Sequence, residues 1–173
     1  MAGSLIKIDE EIVTSAVASV TLTGIDSDDV YKLVLSNVAP TSDNYYLGVK
    51  FTESGTPNST SNYDYAQKFI RANTTFLNLS NTNQSGVNIT NGTNGTGTSE
   101  TTNGIFYIYN ANNSSEFTFM TTESTNRTSS GINYGGQGGI VFTVTSAVDG
   151  VYFAYNVGNI ASGTFTLYRQ VGS

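Results

Sequence analysis

The acidic side chains carry most of the chemistry open to this sequence, because histidine and cysteine are absent altogether. Without imidazole or thiolate there is no Ser-His-Asp triad, no cysteine nucleophile, no disulfide, and no zinc, haem or iron–sulfur ligation by those side chains. Asp26, Asp28 and Asp29, in the run IDSDD, could converge on a calcium ion. The EF-hand spacing fails beyond Asp28, with no glycine at the sixth place and no distal glutamate, so a solvated acidic turn is the preferred reading. Glu53, Asp64, Glu100, Glu116 and Glu123 could offer two acids to a glycosidic bond. Each lies in or beside an expected loop or strand end, where a solvated acid is the default. The expectation is therefore a protein that is not an enzyme, with no catalytic residue, metal or cofactor.

Tyrosines number 11, in near-adjacent sets at Tyr45 and Tyr46, Tyr63 and Tyr65, Tyr107 and Tyr109, and Tyr152 and Tyr155. Such rings can stack on sugars or anchor protein interfaces, although alternate tyrosines on a strand are most often half-buried core. Tyr46 points away from the apolar face of its strand and Tyr134 precedes the run GGQGG, so these two are the candidates for exposed binding aromatics. GGQGG itself, Gly135 to Gly139, lacks the GK[ST] ending of a phosphate loop and reads as a turn. The 10 Asn-x-Ser/Thr sequons reflect polar composition, because glycosylation needs an export signal.

These residues must be positioned by strands. Thr, Ser, Asn and Gly make up 82 of the 173 residues, which favours half-exposed strands joined by turns and nearly excludes long amphipathic helices. Apolar residues recur with period two: Ala16, Ala18, Val20 and Leu22; Tyr31, Leu33 and Leu35; Tyr45, Leu47, Val49 and Phe51. Further segments read as strands at 63–72, 76–80, 105–109, 117–121, 140–145, 151–155 and 163–169, giving roughly ten strands. Residues 81–104 and 121–139 read as polar surface loops. The expected fold is an all-β, antiparallel, jelly-roll-like β-sandwich over residues 1–173, with a closed β-barrel as the alternative.

The net charge is −6, and the 7 basic residues are scattered from Lys7 to Arg169, which argues against nucleic acid as a partner. The opening MAGSLIKIDEEIV has no signal-peptide pattern. Nothing approaches the run of about 18 apolar residues that a membrane span needs. Synthesis in a host cytoplasm without a membrane partner is the expectation. Leu5, Ile6 and Ile8 are apolar residues at a chain end that ordinarily frays. Residues 1–9 are thus a candidate docking arm, against a partner or against their own sandwich.

The strings SLIKIDEEIVTSAVASVTLTGIDS, ESGTPNSTSNYDYAQKF and VGNIASGTFTLYR resemble a group of small proteins encoded by marine tailed bacteriophages. Residues 81–104 and GGQGG look like its variable portion, and the usual ending LYG is LYR here, with Arg169. The resemblance implies a virion structural protein on the capsid or tail surface, and it carries no functional residues. Its implied partners are the major capsid protein or other virion proteins and further copies of itself, a trimer being one arrangement. The leading expectation is a capsid decoration protein. The alternative is a tail fibre or tail-tip module that binds host-surface glycan.

Overall fold

The structure is a computed structural model that describes residues 4–73, 76–91 and 94–172. Among the described residues there are 13 strands and no helix. In chain order they are β1 (Ser4–Val13), β2 (Val20–Thr23), β3 (Val30–Pro40), β4 (Leu47–Glu53), β5 (Thr56–Pro57), β6 (Tyr63–Arg71), β7 (Leu77–Gln84), β8 (Val87–Asn88), β9 (Thr102–Tyr109), β10 (Thr118–Arg127), β11 (Asn133–Phe142), β12 (Gly150–Tyr155) and β13 (Ile160–Val171). They form a β-sandwich. An eight-stranded antiparallel sheet runs β1-β13-β3-β9-β10-β11-β6-β7, and a five-stranded sheet runs β2-β12-β4-β5 with β8 also on β4. The large sheet is open and curled, so the barrel alternative does not hold.

The apolar alternation decides where the core sits. Leu33, Leu35, Phe106, Ile108, Phe165 and Leu167 point inward from β3, β9 and β13, and meet Leu22, Val49, Phe51, Val151 and Phe153 of the small sheet. Aromatic contacts tie the layers together. Phe153 of β12 lies 5.3 Å from Phe165 of β13, ring centre to ring centre, and Phe51 of β4 packs at 6.2 Å from Tyr63 and 5.9 Å from Phe142 of the large sheet. Such pairs contribute roughly 0.5–1.5 kcal/mol beyond their burial.

Across the large sheet the interior changes character. One inward row reads Leu167, Leu33, Phe106, Thr122, Gly138, Gln67 from β13 to β6, and the next reads Phe165, Leu35, Gly104, Ser124, Gly136, Phe69. Large apolar groups give way to small and polar ones, and these find bonds. Ser124 Oγ donates to the Ile89 carbonyl at 3.1 Å. Asn126 Nδ2 donates to Asn94 Oδ1 at 2.9 Å, while Asn94 Nδ2 donates to the Tyr155 hydroxyl at 2.9 Å and to Thr102 Oγ1. Asn94 is fully buried.

Three sequence expectations are corrected here. Residues 121–139 are not a loop but most of the β10–β11 hairpin, closed by a turn in which Thr128 N donates to the Ile132 carbonyl at 2.9 Å. GGQGG is therefore strand, because its alternate glycines make room on the inner face. A Cβ at Gly136 would stand 2.6 Å from the Phe69 ring, and one at Gly138 would stand 2.4 Å from the Ala66 carbonyl oxygen. Residues 81–104 are likewise not one surface loop: β7 runs to Gln84, β8 pairs β4, β9 starts at Thr102, and Ile89, Thr90 and Asn94 are buried between the layers. Residues 92 and 93 of that tract lie outside the described residues. Finally, Ala16 and Ala18 are not inward. Val17 turns inward instead, bonded both ways to Ile160, and the strand proper starts at Val20.

Gly138→Ala should lower stability by about 1–3 kcal/mol in urea unfolding, the cost of overpacking. Gly139→Ala, whose Cβ would meet only the Met120 carbonyl at 4.0 Å, should leave the midpoint nearly unchanged. A second expectation concerns alkali. Burial pushes the Tyr63 and Tyr155 phenols above their ordinary value of 10.0. The folded state then holds protons that the unfolded state releases, so stability is fully present below pH about 10 and falls above it. In an absorbance titration near 295 nm, these 2 of the 11 tyrosines should ionise only with unfolding.

Candidate interaction surfaces

The candidate arm does not extend from the body. Ser4–Val13 pairs antiparallel with β13 along its whole length, with a bulge between Lys7 and Asp9, and forms one edge of the large sheet. Residues 1–3 of the arm lie outside the described residues. The three apolar positions separate in role. Ile8, at the bulge, packs on the core and against the turn at Gly24, where an added Cβ would stand 2.7 Å from Ile8 Cγ2. Leu5 and Ile6 are 49% and 42% exposed, and so remain open to a partner. The middle of the edge is already engaged. Asp9 accepts from Thr23 N and from Glu10 N, each at 2.8 Å, which ties β1 to β2 and occupies a backbone donor beside the bulge. Lys7 and Glu10 pair at 2.9 Å. A bulge and charged side chains are devices that discourage strand addition at an edge.

The two candidate aromatics also part company. Tyr134 is buried, not exposed: it lies on the inner row of β11 and the Arg71 guanidinium covers its ring at 4.8 Å. The glycines after it continue the strand, so no turn lifts it into solvent. Tyr46 is half-buried, with its N–H donating to Asn156 Oδ1 at 2.8 Å and its carbonyl accepting from Asn156 N at 3.1 Å.

The carboxylates are engaged locally. Asp26 and Asp29 face the Arg169 guanidinium at 3.2 and 3.8 Å, and the Tyr31 hydroxyl accepts from the backbone N–H of Asp26 and Ser27 at 3.2 Å each. Asp28 accepts from Asn113 Nδ2 at 3.0 Å. The acidic run is thus a turn organised around Tyr31 and Arg169, and among the described residues no three metal-ligating side chains are gathered. Of the five acids considered for glycoside chemistry, three bond to near neighbours: Glu53 accepts from Asn58 Nδ2, Asp64 from Asn83 N at 2.8 Å, and Glu100 from Gly97 N at 3.0 Å. Glu116 and Glu123 are exposed, in the loop before β10 and on the outer face of β10.

One apolar open surface carries no candidate from the sequence analysis. On β10 the inward positions are Thr118, Met120, Thr122, Ser124 and Asn126, which leaves Phe119 outward and 44% exposed. Phe119 stands in register between Tyr109 of β9 and Val141 of β11, with Phe117 (40% exposed) two residues before it, while Ile105 (38%) is also exposed but pairs with Glu123, farther along β10. Beside this row the curled sheet forms an open groove of about 560 Å³, with Ala66 and Gly139 on its floor and Ser80 and Thr82 on its far wall. The alternation of aromatics with threonines at 117–120 was the available signal, but alternation by itself does not say which face is buried.

Removing residues 1–9 should lower the melting temperature, because it deletes more than half of β1 and the Ile8 contact with the core. Replacing Leu5 and Ile6 together by Ser should leave it within a few degrees. Differential scanning calorimetry of both variants checks the assignment of the N-terminal segment to its own sheet.

Set against known proteins, the sequence matches no family model and no curated protein.

Proposed function

We propose that this chain is a non-enzymatic structural protein of a phage particle, displayed on the virion exterior and acting through protein–protein contacts, with capsid decoration as its role. The observation that carries this reading is the outward apolar row of the aromatics Tyr109 and Phe119 with Val141, beside the exposed Phe117. An antiparallel sheet with one solvated face normally alternates apolar inward and polar outward residues. This sheet carries Phe outward and Thr inward at its centre, and contiguous exposed apolar surface of this kind marks protein–protein contact. The resemblance of the chain's ends and middle to virion proteins of marine tailed phages supplies the partner class: the major capsid protein, another virion protein, or further copies of the chain in a homo-oligomer. A host cytoplasm as the place of synthesis fits a chain without cysteine.

Quantitative mass spectrometry of purified virions of the encoding phage, against the major capsid protein, tests the role. Hundreds of copies per particle are expected. A handful would move the protein to the tail and favour the fibre or tail-tip reading, and none would remove the virion assignment. Phe119→Ser should reduce incorporation by about tenfold or more, as loss of a central aromatic anchor does, with the melting temperature retained.

A further inference from the structure

The outer face of the small sheet holds a second concavity, unlike the first in being mostly polar. It is a cleft of about 370 Å³ between β4, β8 and β12. Two register rows build it. Tyr152 stands beside Lys50, and Ala154 beside Gly48, which in turn faces Asn88. Gly48 and Ala154 make a floor with almost no side chain, and Tyr152 and Asn88 rise beside it. Asn156 closes one end.

The polar groups around this floor are held in place. Asn156 Oδ1 accepts from Tyr46 N at 2.8 Å, which leaves the Nδ2 donors of that amide for a ligand. Lys50 Nζ donates to Ser59 Oγ at 2.8 Å, and its stem lies on Gly86, where a Cβ would meet Lys50 Cε at 3.0 Å. The ammonium is thus drawn aside and the methylenes form the wall. Asn88 is exposed, and no carboxylate lines the cleft.

We propose that this cleft binds one or two pyranose units of a neutral glycan. A sugar ring has an apolar C–H face and a rim of vicinal hydroxyls. An aromatic ring beside a flat floor accommodates the first, and side-chain amides, each with donors and an acceptor, match the second. The volume lies at the lower end of the range for small-ligand clefts, about 300–1,000 Å³. The Lys50 ammonium is drawn towards Ser59, so the polar groups beside the Gly48–Ala154 floor are the neutral amides of Asn88 and Asn156 and the Tyr152 hydroxyl, which match uncharged hydroxyls. The proposal does not depend on a virion role, because the cleft and the aromatic row lie on opposite layers of the sandwich.

The test is a titration of the isotopically labelled full chain with methyl glycosides of glucose, galactose, N-acetylglucosamine and, as the anionic control, glucuronic acid, followed by backbone NMR shifts. The expected result is saturable, millimolar binding of at least one neutral glycoside, with the largest shifts at Gly48, Tyr152, Ala154 and Asn156. Tyr152→Ala should weaken it at least tenfold. Gly48→Ala, whose added Cβ meets nothing closer than 3.5 Å, should weaken binding with the melting temperature retained, and Gly48→Val should abolish it by filling the floor, its fold checked by the same melting measurement. Phe119→Ser should leave it unchanged. The proposal is overturned by linear, non-saturating shifts with all neutral glycosides, by stronger binding of the glucuronide, or by binding that survives Gly48→Val.

Discussion

A buried amide needs as many partners as it has polar atoms, and in this sandwich that requirement gathers at Asn94. Its side chain joins Thr102 of β9, Asn126 of β10 and Tyr155 of β12, while its backbone bonds both ways with the segment before β4: its N–H to the Tyr45 carbonyl and its carbonyl to Asn44 N. One residue thus fixes the spacing of the two sheets at the end where apolar side chains run out. A net contribution near 1 kcal/mol per bond understates its importance. Leaving such groups buried without partners costs about 1–3 kcal/mol each, so the arrangement is held by the penalty for its alternatives.

That constraint explains the division of the large sheet. Where β13, β3 and β9 face the small sheet, burial of Leu33, Leu35, Phe106, Ile108, Phe165 and Leu167 sets the register. Where β10 and β11 continue the sheet, inward Thr122, Ser124 and Asn126 are admitted because the segment from Ile89 to Asn94 supplies bonding partners, and inward Gly136 and Gly138 are required because Phe69 and the β6 backbone approach closely. With polar groups satisfied inside at Thr122, Ser124 and Asn126, Phe119 of β10 and Val141 of β11 face outward. The exposed Phe117 and Phe119 are therefore the counterpart of the buried Asn126, two results of a single register.

The extent to which the sequence disclosed this follows the same division. Tyr31, Leu33 and Leu35, and likewise Leu47, Val49 and Phe51, alternate against polar residues, and their burial could be read from the period alone. Phase could not be read for β10, whose two faces are Thr, Met, Ser and Asn on one side and Phe, Thr, Glu and Arg on the other. The covering of Tyr134 by Arg71 and the bonding of Tyr46 to Asn156 are contacts between residues distant in sequence, which local composition does not encode. The glycines of β11 read as a turn for a related reason: glycine signals a turn unless a facing ring occupies the space that it leaves. The Tyr152 cleft depends on β8 lying beside β4, and a two-residue strand leaves almost no mark on periodicity.

The pairing of β1 with β13 sets the order in which this protein can be made. β13 lies between β1 and β3 in the large sheet, so until β13 has been made β1 has no partner in that sheet and β3 has only β9. The β6–β7 hairpin and the β9–β10–β11 meander can form during synthesis, but the core between β3, β13 and β12 cannot. Completion of the sandwich is thereby dominated by long loop closures, which makes folding slow for a domain of this size. In the interval, Leu33, Leu35 and Phe106 are uncovered, and the rate at which the protein can be produced without loss to aggregation is set by how quickly β13 meets β1 and β3.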